Sequence, residues 1–162
     1  DLVKGSWDYL YRVIAQANKS LDKLNEILAK DPENTSVPKY ISEVRAFRAL
    51  YYYYLLDMFA RVPLVTSSTT AMADPEQSER SVVFTFVKTE LEESVADLSD
   101  AHSNLPGEYY GRITKPVAYF LLAKLALNAE IYTDDNWTDG SKPDYCGWSR
   151  KKCLGSYNCL WY

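Results

Sequence analysis

Four stretches of this chain place apolar side chains at steps of three and four, and that spacing restricts it to packed helices. The first stretch runs from about Trp7 to Lys30, with Trp7, Leu10, Tyr11, Ile14, Ala17, Leu21, Leu24 and Leu28 on one face. Ser6 is its expected N-cap, with Asp8 in the first turn. Pro32 forbids continuation. The second runs from about Pro38 to Phe59, with a stripe of Ile41, Val44, Phe47, Tyr51, Tyr54, Leu55 and Met58. Its block from Leu50 to Leu56 is apolar nearly all round, so contacts on more than one face are expected. Val62-Pro-Leu-Val65 reads as an extended exit, because Pro63 pushes Val62 out of the helical region.

A polar loop from Thr66 to Arg80 leads to a third helix over about Ser81 to Ser99, with Phe84, Val87, Leu91, Ser94 or Val95, and Leu98 inward. A connector holding Pro106-Gly107 and Gly111 precedes the fourth helix. Thr114 is its expected N-cap, Pro116 lies in its first turn, and Val117, Phe120, Leu121, Leu125 and 128–132 continue it. The pattern predicts an all-α array of helical hairpins. Helix pairs recur about 75 residues apart, so no strict repeat of about 34 residues is present.

Composition narrows the function. The 162 residues carry a net charge of −4, which argues against a nucleic-acid partner, whose phosphates need a basic face. No apolar run is long enough for a membrane-spanning helix. Asp1 opens no charged leader region, so the sequence is expected to start inside something longer or to be a mature form. With 14 Tyr, 4 Trp and 5 Phe, the chain suits packed helices with polar ring tips, or a surface for flat ligands such as sugar rings. One His and three Cys leave little for metal or nucleophile chemistry, and no phosphate-loop, zinc-protease or dinucleotide glycine pattern occurs. No cofactor, metal or catalytic residue is therefore expected. The neighbouring carboxylates Glu92-Glu93 and Asp134-Asp135 do not face one another across a cleft as a glycosidase pair must, and read as solvated.

From Asp134 the pattern changes. Residues 134–162 hold all three Cys and three of the four Trp, with no surviving period, and are expected to form an irregular tail. Cys146, Cys153 and Cys159 match no zinc spacing. From about Tyr145 the expectation is translation out of frame, since the degenerate codons permit an amphipathic helix one nucleotide away.

The run Glu43-Val-Arg-Ala-Phe-Arg-Ala-Leu-Tyr-Tyr-Tyr-Tyr-Leu-Leu-Asp-Met-Phe59, followed by Val62-Pro-Leu-Val-Thr66, resembles the SusD/RagB family of outer-membrane nutrient-binding lipoproteins. Three further blocks resemble it in order and spacing: Trp7 with Tyr11, Ile14, Ala17 and Asn18; Tyr110-Gly-Arg-Ile-Thr-Lys115; and Leu121-Leu-Ala-Lys-Leu-Ala-Leu127. The likeness covers residues 7–133, and 1–133 is expected to form a tetratricopeptide-like helical scaffold truncated at both ends. One departure is Ala60, where the family usually has Gly after the second helix. The resemblance implies a surface lipoprotein that binds oligosaccharides without breaking bonds, as a lid over a SusC-like TonB-dependent transporter in the outer membrane. Its lipid-carrying N-terminal Cys and large C-terminal part are absent from this sequence. The alternative is a helical-repeat protein-interaction module that binds no glycan.

Tyr109 and Tyr110, on a loop between Gly107 and Gly111, and Trp137, beside Asp135 and Asn136, are the candidate glycan-stacking residues. Tyr51 to Tyr54 point all round a helix and read as core. Arg45, Arg48 and Asp57 are expected to satisfy one another or loop carbonyls, and Arg112 to pin the loop before the fourth helix.

Overall fold

The structure, a computed structural model, describes residues 1–69, 76–136 and 138. Among the described residues five α-helices follow in order: α1 Leu2–Lys30, α2 Val37–Phe59, α3 Arg80–Ser94, α4 Lys115–Leu127 and α5 Ala129–Tyr132. A single 3-10 turn, Val95–Asp97, extends α3. Among the described residues the one β feature is an isolated antiparallel bridge between Val62 and Ser78. The fold is all-α. Of the tail expected over 134–162 the structure describes only 134–136 and 138; the out-of-frame stretch expected from about 145 and the three Cys lie outside the described residues.

α1, α2 and α3 run antiparallel in succession. The start of α1 meets the end of α2 where Trp7 sits edge-on to Phe59, ring centroids 5.0 Å apart. The end of α2 meets the start of α3 where Tyr52 packs edge-on to Phe86 at 5.1 Å. Phe84 of α3 in turn meets Tyr132 of α5. α2 therefore lies between α1 and α3, in keeping with its nearly all-round apolar block.

Several local expectations need correction. Asp1, not Ser6, caps α1: its carboxylate accepts from the Val3 N–H at 3.0 Å, while the Ser6 hydroxyl donates to the Leu2 carbonyl one turn back. The i,i+4 pair Lys4–Asp8 helps this extra turn. The α2 stripe is out of phase. Its buried residues are Val37, Ser42, Ala46, Arg48, Ala49, Tyr52, Tyr53, Leu55 and Leu56, whereas Tyr54 and Met58 are exposed. A helix apolar on most sides gives no single phase, and the small Ala46 and Ala49 are fully buried. The fourth helix breaks at Asn128, whose side-chain amide donates to the Lys124 carbonyl at 3.1 Å and competes with the helical ladder. Thr114 occupies the α4 N-cap position, but its buried hydroxyl makes no hydrogen bond.

The end of α2 is strained. Ala60 has φ 60° and ψ −76°, and the Arg61 N–H donates back to the Phe59 carbonyl at 2.8 Å. That is a tight γ-turn in a conformation rare for any residue with a Cβ. Its consequence is an abrupt reversal that lays Val62–Val65 as an extended strap across the helices, where Val62 and Val65 are buried. Ala60→Gly removes the Cβ penalty and should raise the unfolding free energy by about 1 kcal/mol. Urea denaturation would read this as a higher midpoint at unchanged slope; a lower midpoint would mean the methyl group packs favourably enough to outweigh the strain.

Candidate functional site

Two polar assemblies stand out against the apolar core. The first is buried and joins four segments. Arg48 of α2 donates through Nε and Nη2 to one Glu90 carboxylate oxygen on α3, at 3.2 and 2.5 Å. Its Nη1 donates to the Asn18 side-chain oxygen on α1 at 2.8 Å and to the Thr66 carbonyl after the strap at 3.1 Å. Arg45, one turn earlier, donates from Nη2 to the other Glu90 oxygen at 2.7 Å and to Glu93 at 2.5 Å. Glu90 thus accepts from two guanidinium groups, so a buried charge cluster meets its hydrogen-bonding needs within itself.

The strap is held by side chains from below. Tyr11 donates to the Pro63 carbonyl at 2.8 Å. Asn18 donates to the Val65 carbonyl at 2.8 Å. The Tyr52 hydroxyl both donates to that carbonyl at 3.0 Å and accepts from the Val65 N–H at 2.7 Å. Burial pushes the Tyr52 phenol up to about 12 and raises that of Tyr11 as well.

The second assembly is an open cleft of about 460 Å³ between the first turns of α2, the 3-10 turn and the connector before α4. Arg112 spans it. Its Nε and Nη2 donate to the two Glu43 oxygens of α2 at 2.9 and 2.6 Å, a bidentate fork, and its guanidinium carbon lies 4.9 Å from the Tyr109 ring centroid. The Glu43 hydrogen bonds raise the Arg112 pKa above its ordinary value, so the guanidinium stays charged. The connector is shaped by Gly107 and Gly111, with φ 148° and 74°, and fixed by the Gly111 N–H donating to the Ser103 carbonyl at 2.9 Å.

Of the aromatic candidates, Tyr109 lines this cleft. Tyr110 is 67% exposed and does not line it. Trp137 lies outside the described residues. Tyr40, in the first turn of α2, lines the cleft and was not singled out by its sequence context. Arg45 and Arg48 pair with Glu90, not with Asp57. Asp57 instead accepts from the Tyr132 hydroxyl at 2.6 Å. Of the presumed solvated carboxylates, Glu93 accepts from Arg45 and Asp135 accepts from the Ser81 N–H at 2.9 Å. Glu90 had a legible signal, standing three residues after the inward Val87, where a carboxylate demands a partner. Among the described residues no group of three or more His, Cys, Asp or Glu is arranged to hold a metal, and no helix is long and apolar enough to cross a membrane. What the cleft offers is ring faces and hydrogen-bonding groups.

A family profile described as "Starch-binding associating with outer membrane", SusD-like, matches residues 1–127. The starch-binding protein SusD of Bacteroides thetaiotaomicron is 31% identical over 103 residues, 64% of this chain and 17% of that protein. A SusD-like protein of Bacteroides ovatus is 25% identical over 144 residues, 88% of this chain and 24% of its own length. Among solved structures, a laminarin binding SusD-like protein superposes with a TM-score of 0.65 at 28% identity, covering 79% of this chain and 27% of that one. The chain thus spans about a quarter or less of the curated relatives it matches.

Two outcomes test the buried assembly. Arg48→Met leaves Glu90 without its deepest partner and should cost about 3–5 kcal/mol in chemical denaturation; a loss below about 1 kcal/mol would show that Arg45 alone satisfies the carboxylate. Tyr52 is protonated in the fold up to about 12 but titrates near 10 in the unfolded chain. Its contribution is therefore complete below about pH 10 and lost as pH rises toward 12. The urea midpoint should fall across that window, and less steeply in Tyr52→Phe.

Proposed function

The chain belongs to the SusD-like family, and we propose that it forms part of the helical scaffold of a protein that binds glycans without cleaving them. The family match over residues 1–127 carries this reading. The relatives named for starch and laminarin binding support oligosaccharide as the ligand class. In this reading the protein works at the outer membrane, exposed at the cell surface through a lipid anchor, and hands oligosaccharides to a SusC-like TonB-dependent transporter.

Binding would rest on ring stacking and directional hydrogen bonds, with Tyr109, Tyr110 and Trp137 as the stacking side chains. Tyr109 and Tyr110 share one glycine-flanked loop but present themselves to different surroundings, one in the cleft and one in solvent. The arginines and Asp57 hold the scaffold that carries them.

One observation favours the second reading, a protein-interaction module. Phe120, Leu127 and Ile131 are 56%, 85% and 60% exposed along α4 and α5. Such an apolar surface suits a protein partner.

Affinity electrophoresis of the full-length protein in gels containing starch, laminarin or other polysaccharides separates the two. Retardation by at least one polysaccharide, with no reducing ends released on long incubation, is the expected result. Unretarded migration across the whole panel would favour the interaction module, and released sugar would overturn the non-catalytic assignment.

A further inference from the structure

We infer that the cleft between the α2 N-terminus and the connector before α4 is a subsite for a neutral hexose unit, one that discriminates against uronate and sulfated glycans; this rests on the glycan-binding reading. The volume, about 460 Å³, lies in the range of small-ligand sites. Two aromatic rings border it. Tyr109 is held from one side by Arg112, and Arg112 is itself fixed by the fork to Glu43. Tyr40 is 49% exposed on the first turn of α2. A ring held by a locked guanidinium loses little rotamer freedom when a flat ligand settles against it, which favours binding.

The charge of the walls sets the specificity. Four carboxylates line the cleft, Glu43, Asp97, Asp100 and Glu108, against the two cations Lys39 and Arg112. Arg112 is already committed to Glu43. Asp100 is held by Lys115 at 3.1 Å from outside the cleft. Asp97 accepts one hydrogen bond, from the Ser42 hydroxyl at 3.1 Å, while a carboxylate offers about four acceptor sites. Vicinal sugar hydroxyls can donate to the remaining sites as a pair. A sugar carboxylate or sulfate would instead meet a surplus of like charge, with the Lys39 ammonium as the one cation left to receive it and Asp97 and Glu108 set against it.

The test titrates the full-length protein by calorimetry with maltoheptaose, laminarihexaose, a xylogluco-oligosaccharide and an oligogalacturonide of similar length. At least one neutral probe should bind, and the oligogalacturonide at least about tenfold more weakly. Tyr109→Ala and Tyr40→Ala should each weaken the neutral probe about tenfold or more. Tyr109→Phe, which keeps the ring, should stay within about threefold of wild type. Leu105→Ala, on the same connector but outside the cleft, should bind as wild type, which reports on connector folding. Asp97→Lys should narrow the gap between neutral and acidic probes. Wild-type affinity in both Ala variants, or an oligogalacturonide bound as tightly as the neutral probe, overturns the subsite while leaving glycan binding elsewhere intact. If none of the neutral probes binds the wild type, the glycan-binding reading falls and the subsite with it.

Discussion

A guanidinium group buried between three helices has to be paired, and in this protein that requirement fixes how the helices sit. Removing an ion from water costs several kcal/mol unless the surroundings replace what water supplied. Arg48 uses four of its five N–H donors, on Glu90 of α3, Asn18 of α1 and the Thr66 carbonyl. A slide of α3 by one turn would carry Glu90 about 5.4 Å away and leave both charges stranded. The apolar surfaces of α1, α2 and α3 tolerate several registers; the charge cluster tolerates one. Hydrophobic burial supplies the drive to pack, and the cluster selects the packing.

The same logic explains much of the tyrosine content. Val62–Val65 is extended but, among the described residues, joins only an isolated bridge in which the Ser78 N–H donates to the Val62 carbonyl, so its other backbone groups need side-chain partners. Tyr11, Asn18 and Tyr52 supply them. Tyrosine suits this because its ring fills the apolar layer under the strap while its hydroxyl reaches the peptide above. Tyr132 does likewise for Asp57. The γ-turn at Ala60 is the entry to this arrangement: strain accepted at one residue allows the next four to run back over the helices.

The helices were legible because their period is a property of the chain alone. The phase of α2 was not, because residues 50–56 are apolar on every side and burial there depends on which neighbours arrive. The partner of Arg48 lies 42 residues away, on a helix whose acidic residues resemble a solvated face in sequence. Only the inward spacing from Val87 to Glu90 marks one of them as different. At the cleft, the glycine-flanked loop pointed to Tyr109, and nothing local distinguished it from Tyr110. Their separation follows from the Arg112–Glu43 fork, a contact between residues 69 positions apart. Tyr40 was missed for the same reason, since only folding brings the start of α2 beside the connector.

These two assemblies divide the polar side chains by what surrounds them. In the buried cluster Arg48 commits four of its five N–H donors to partners of the same chain. In the cleft, one arginine is locked while hydroxyls, carboxylates and ring edges around it keep unused capacity. A binding surface for sugars needs that combination. Each sugar hydroxyl is already hydrogen-bonded to water, so the exchange is close to neutral, and net affinity depends on how little the protein must reorganise. For the proposed sugar subsite, a cleft wall built on a long helix and on a connector tied at Gly111 to Ser103 would limit that reorganisation. Mobile side chains alone would have to be ordered at each binding event. The rigidity imposed by Arg48 in the core thus reaches the surface through α2, whose first turns carry Tyr40 and Glu43 into the cleft.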